Sequence, residues 1–136
     1  MPDLSKNYLI FQDHAHEMDQ FSIAMESDIG TFAPRGLTFN GKNKTSQCIL
    51  HEILSLMKPI NATKLVIDEE GSDTEMFIPY NVPITSLENA SEDYFFFHHS
   101  QGDTMTVESR VELDKCQALW TSVAYALAAL DQPLPR

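Results

Sequence analysis

"FSIAMESDIGTFAPRG", residues 21–36, divides into two halves of opposite character. In the first, Phe21, Ile23 and Met25 alternate with Ser22, Ala24 and Glu26, the period-two pattern of a strand over residues 21–26. In the second, Gly30, Pro34 and Gly36 punctuate a polar stretch that reads as a loop over residues 27–36. A strand opening into a polar loop is the start of an α/β unit, and the rest of the chain continues it. Residues 46–57 place Ile49, Leu50, Ile53, Leu54 and Met57 on one helical face, and Pro59 closes the segment. "KLVI", 64–67, precedes the acidic turn "DEEGSD". "VPITSL", 82–87, is a second short strand, with Pro83 near its start, where a missing N–H is tolerated. Ser109 and Glu112 form an S-x-x-E capping box that opens a terminal helix. Leu113, Cys116, Trp120, Val123, Leu127 and Leu130 lie on one face of it, and Pro133 and Pro135 follow. Residues 5–18 read as a further helix capped by Ser5. Strands separated by helices predict an α/β domain, a sheet covered by helices.

Composition bounds the partners. A chain of 136 residues fits one domain spanning 1–136 and is long enough to bury a core. A hydrophobic fraction of 43% with 21% charged residues belongs to a folded protein. Nine Lys and Arg against twenty Asp and Glu give a net charge of −11, which argues against nucleic acid or an anionic membrane as main partner. No apolar run reaches the ~18 residues of a membrane span. The opening "MPDLSKNYLIFQDH" lacks the signature of a signal peptide. Yet three of the six asparagines, Asn43, Asn61 and Asn89, head N-x-S/T sequons, which points to a secretory route. Together these predict a chain lacking its own beginning. Cys48 and Cys116 read as small buried hydrophobes, with a disulfide between helices left open.

In open α/β sheets, ligands gather at the carboxyl ends of strands. Glu26-Ser27-Asp28 follows the first strand, and in "FFFHHSQGDT", 95–104, the pair His98-His99 follows an apolar run that also reads as strand. A carboxylate and an imidazole from neighbouring strand ends suit Zn²⁺. On the residues alone, Asp28 fits a loop cap equally well, and the histidines fit a solvated strand end. Alternation along a strand admits only one of the two histidines into a given site. His14 and His16, two apart on a helix, do not share a face. A phosphate loop and a G-x-S-x-G elbow are both absent from the sequence, which leaves a Ser27–His99 nucleophile and base without support.

"MESDIGTFAPRGLTF" (25–39), "VPITSL" (82–87), "DYFFFHHSQGDTMTV" (93–107) and the closing "PLPR" resemble the carboxyl-terminal half of the carboxypeptidase Q (plasma glutamate carboxypeptidase) family of co-catalytic zinc exopeptidases. The resemblance implies a partial three-layer α/β/α sandwich with a mostly parallel sheet, the N-terminal part of the catalytic domain missing. It implies a dinuclear Zn²⁺ site at the strand ends, Asp28 binding one zinc and His99 the other. Ser27, His98 and Asp103 then support the ligands or line the pocket, and Thr104 shapes the same loop. The family's His-x-Asp motif, with its metal-bridging aspartate, and its Glu-Glu pair, with the general base, have no counterpart in the 25 residues before Glu26. The implied function is that of the C-terminal segment of a metallocarboxypeptidase or dipeptidase acting on small peptides, secreted or lysosomal and homodimeric. Such a segment has no catalytic residue of its own and is inactive in isolation. The alternative is a short non-catalytic paralogue serving as a binding or dimerising subunit.

Overall fold

Two side chains fix where the long helices begin. The computed structural model describes residues 13–67 and 73–136; the Ser5 cap, residues 5–12 of the first expected helix and positions 68–72 of the acidic turn lie outside them. Asn43 Oδ1 accepts the Thr45 N–H at 2.9 Å and starts α1, Lys44–Ser55. Ser109 Oγ accepts the Glu112 N–H at 3.5 Å at the start of α2, Arg110–Ala128, as the capping box predicts. Pro59 falls in a 3-10 turn, Lys58–Ile60, just past α1. The helical reading of 5–18 survives in part: residues 13 and 14 are helical and Ala15–Gln20 is 3-10. There His14 bonds Glu17 at 2.8 Å on the surface, and His16 approaches the same carboxylate at 3.5 Å.

Among the described residues four strands make one sheet: β1 (Ala24–Glu26), β2 (Pro34–Phe39), β3 (Lys64–Ile67) and β4 (Ile84–Asn89), in the order β1-β4-β2-β3. β1 runs parallel to β4, with Glu26 opposite Ser86, and β2 parallel to β3; β2 and β4 are antiparallel. The sheet is therefore mostly parallel. Two local readings need correction. The stretch read as loop to residue 36 already contains the start of β2, a central strand. Pro34 occupies its first position and a register irregularity separates it from Gly36, so the turn residues mark a strand entry and not a turn. The phenylalanine run is not a strand: Tyr94–Phe97 is a single helical turn following a 3-10 turn at Ser91–Asp93.

Leu37 and Phe39 of β2 face the same way as Leu87 of β4 and meet Leu50, Ile53 and Leu54 of α1 and Cys116, Leu119, Val123 and Leu127 of α2 in one core. Both long helices thus cover one face of the sheet. The opposite face carries half-exposed Thr38, Ser86 and Glu88, and Lys64 reaches Glu88 at 2.6 Å across it. The described residues hence form the sheet and one helical layer of an α/β sandwich. Leu134 of the tail is fully buried, its N–H bonded to Ser22 Oγ at 2.9 Å. On α2 the buried seam runs through Leu119, which the sequence pattern passed over, while Trp120 is only partly buried beside it. Leu119→Ala is expected to cost roughly 2–5 kcal/mol, read as a fall in the urea midpoint with an unchanged slope.

Candidate metal centre

Because β1 and β4 are parallel neighbours, their carboxyl ends lie side by side. Asp28 is exposed two residues beyond β1, with exposed Ser27 next to it. The loop it sits on is tied to the last residue of β4 and the segment after it through three successive carbonyls. Tyr94 Oη donates to the Asp28 carbonyl at 3.1 Å. Asn89 Nδ2 donates to the Ile29 carbonyl at 3.2 Å and the Gly30 carbonyl at 2.9 Å. Gly30 has φ +68°, and a Cβ there would lie 2.9 Å from the Phe32 ring of the same loop, so this left-handed position favours glycine.

Tyr94 also reaches the histidines: its ring centroid is 4.7 Å from that of His98, which is 4.0 Å from His99. The strand argument that sent the two imidazoles to opposite faces therefore fails. The residues leave a helical turn, with the His98 N–H bonded to the Tyr94 carbonyl at 3.0 Å and His99 in the left-handed region at φ +56°. The two rings differ in setting instead. His98 is half-buried between Tyr94 and Phe95, and His99 is exposed. Ser100 builds the return: its Oγ donates to the Phe97 carbonyl at 2.6 Å and accepts from Gly102 N at 3.1 Å. Its carbonyl takes the Asp103 N–H at 3.2 Å, so exposed Asp103 is carried back by the same turn. Phe95 and Phe96 are 79% and 77% exposed, so the apolar run is no core strand.

The charges agree with this grouping. Partial burial, then the carboxylates of Asp28 and Asp103, push the Tyr94 phenol above its ordinary value. Both acids therefore lie within electrostatic reach of one hydroxyl. Glu26 belongs elsewhere: its carboxylate accepts from the N–H of Asp73 (3.2 Å) and Thr74 (3.1 Å) and from the Thr74 hydroxyl (2.9 Å), capping the 3-10 segment Asp73–Tyr80. In kind, a carboxylate and an imidazole fit zinc. In number they fall short, since no three His, Cys, Asp or Glu side chains gather to hold a metal among the described residues. Sequence reasoning missed Asn89, Tyr94 and Ser100 as the groups that assemble the site. Asn89 was visible only as a sequon and Tyr94 only as the edge of an apolar run.

Asn89 as a glycan acceptor is at odds with its setting. It is 4% exposed, and its amide nitrogen is given to two carbonyls. The cysteines are both free, and Cys48 is exposed where a buried residue was expected. Cys116 is buried, its thiol donating to the Phe32 carbonyl at 3.1 Å. Burial first, then Glu112 and Glu108, push its pKa from 9.0 to about 11. A raised thiol pKa stabilises the fold below pH 9 and loses that contribution as pH climbs towards 11. At pH 8 a chromogenic disulfide reagent is expected to modify Cys48 rapidly and Cys116 only on unfolding. Two fast thiols per folded chain would contradict this.

A cavity of about 200 Å³ lies at the opposite end of the sheet, between Asn40 and Gly41 after β2 and Val82 and Pro83 before β4. It is separate from the Asp28 and histidine loops. No described helix is long and apolar enough to cross a membrane.

The chain resembles known proteins in sequence and in fold. The chain is 41% identical over 126 residues to carboxypeptidase Q of Mus musculus and of Homo sapiens, and 42% identical to that of Xenopus laevis. Each match covers 93% of this chain and 26–27% of the relative, so the chain spans about a quarter of the length of those proteins. Its fold superposes with a TM-score of 0.80 on the crystal structure of a peptidase M28 precursor from Shewanella amazonensis SB2B, at 23% identity, covering 96% of this chain and 30% of that one. Residues 5–124 match Peptidase family M28, a span that includes Asp28, Tyr94 and both histidines. The chain belongs to peptidase family M28.

Proposed function

We propose that these residues form part of a zinc-dependent carboxypeptidase or dipeptidase acting on small peptides, giving Asp28 to one of two Zn²⁺ ions and His99 to the other. The observation that carries this reading is the tie made by Tyr94 and Asn89, which joins the Asp28 loop to the histidine turn at one end of the sheet. The exposed His99 ring supports its choice as ligand; His98, held between Tyr94 and Phe95, packs and orients. Ser27 adjoins Asp28 and Asp103 lies on the histidine turn, and both line the pocket around the ligands. When bound, the metal pair supplies Lewis acidity and an activated water. The chain's own part is to hold two donors in place; Glu26, bonded to Asp73 and Thr74, is not available as the base.

The sequons support a secretory route, secreted or lysosomal, and the resemblance supports a homodimer. The net charge of −11 disfavours nucleic acid and anionic membranes. The test is zinc content by elemental analysis alongside dipeptide hydrolysis by the purified chain. Weak, substoichiometric zinc and no turnover are expected, because a catalytic zinc takes three protein ligands and the described residues offer one per metal. Robust turnover that Asp28→Ala or His99→Ala abolishes would overturn the claim that the chain is inactive alone. A second reading, a non-catalytic binding or dimerising subunit, draws on the exposed Phe95, Phe96 and Met105 around the histidine turn. It predicts a stable complex with a full-length relative that Phe95→Ser with Phe96→Ser dissolves.

A further inference from the structure

The three sequons sit in three different environments. Asn89 is buried, with its amide nitrogen bonded to the Ile29 and Gly30 carbonyls. Asn43 caps α1 through its oxygen, and its nitrogen donates to the Arg136 carbonyl at 3.1 Å, against the tail that closes the core. Asn61 is exposed, as is Thr63, the hydroxyl residue of its sequon. It ends the 3-10 turn Lys58–Ile60 at φ +57°, and its backbone N–H already bonds the Lys58 carbonyl at 3.0 Å, so the turn is fixed without the side chain.

Asn61 also lies three residues before β3, the last strand in the sheet order. Among the described residues β3 pairs on one side only, with β2. Its other edge has no strand partner among the described residues, with Leu65 and Val66 half-buried and Ile67 55% exposed. Such an edge is a template for pairing with another chain unless something covers it.

We propose that Asn61 is the N-glycan acceptor of this chain and that its glycan shields the open edge of β3. The inference rests on the secretory reading above. Asn61 Nδ2 gives up one hydrogen and bonds C1 of an oligosaccharide carried on a lipid diphosphate. The C1–O bond to the diphosphate breaks, and the diphosphate leaves with the electron pair and takes up the proton. No oxidation is involved. At Asn89 the same bond would evict the side chain from beneath the Asp28 loop, and at Asn43 it would press on the tail.

The test expresses the full chain behind a cleavable secretory leader in glycosylating cells, with intact mass and deglycosylation in ¹⁸O water to mark the modified asparagine. One glycan, at Asn61, is expected; it should vanish in both Asn61→Gln and Thr63→Ala and persist in Asn43→Gln. Thr63→Ala guards against misfolding caused by changing a left-handed residue. Removing the glycan enzymatically should raise the oligomeric fraction several-fold by light scattering. A glycan mapped to Asn43 or Asn89, no glycan at all, or self-association that deglycosylation leaves unchanged would each overturn the proposal. Since the leader imposes the compartment, a missing glycan counts against Asn61 and not against the secretory reading.

Discussion

Gly36→Ala is expected to destabilise this chain severely, by about 2–6 kcal/mol. The backbone of β2 passes so close to β3 at this position that an added Cβ would stand 1.8 Å from the Lys64 carbonyl oxygen and 2.7 Å from Lys64 N and C. None of those atoms belongs to a flexible side chain, so relief requires the two strands to separate. The φ of +152° adds a second penalty, since L side chains rarely adopt it. Strain of about 1–3 kcal/mol and an overpacking cost of similar size sum to a large share of the ~5–15 kcal/mol that holds a domain together. Gly102→Ala is the control. A Cβ there meets only Ser100 Oγ at 3.4 Å and Phe97 Cδ1 at 3.6 Å, ordinary contacts, and the change should stay within about 1 kcal/mol. Urea unfolding followed by circular dichroism compares the two. A Gly36→Ala protein with the parent midpoint would show that the β2–β3 approach is wrongly described.

The other large effect concerns the ligands. Graft residues 13–136 onto a full-length carboxypeptidase Q relative in place of its matching portion, and measure dipeptide hydrolysis. Asp28→Ala and His99→Ala should each lower kcat/KM by more than about 10³-fold, because a lost metal removes several kcal/mol of transition-state stabilisation. Tyr94→Phe keeps the ring against His98 and deletes only the hydroxyl that holds the Asp28 carbonyl, so a loss of roughly 10–100-fold is expected, as for other groups that orient metal ligands. Equal rates for Tyr94→Phe and the parent would separate the tie from the chemistry.

How much of this was written in the residues differs by element. The helices were legible because their signals are local: apolar residues recur at helical spacing in both, and Ser109 with Glu112 marks the start of α2, whereas the Asn43 cap of α1 was read only as a sequon. The entry of β2 was hidden because Pro34 and Gly36 usually mark turns. Here they serve a central strand whose close neighbour, Lys64, lies 28 positions further along the chain. The phenylalanine run misled because three aromatic residues in a row favour a buried strand, whereas Phe95 and Phe96 stand exposed on one helical turn. The site shows the same limit. Asp28 and the histidines stood out by residue type, but the tie between them needs a parallel β1–β4 pairing that no local pattern encodes. The choice of His99 over His98 came from the motif, since strand parity does not apply to a turn.

Zinc bound per molecule of the grafted enzyme decides whether this chain carries one donor to each metal. Two zinc ions are expected in the parent and in His98→Ala, and about one in Asp28→Ala and in His99→Ala. Two ions and full activity in His99→Ala, with both lost in His98→Ala, would contradict the account.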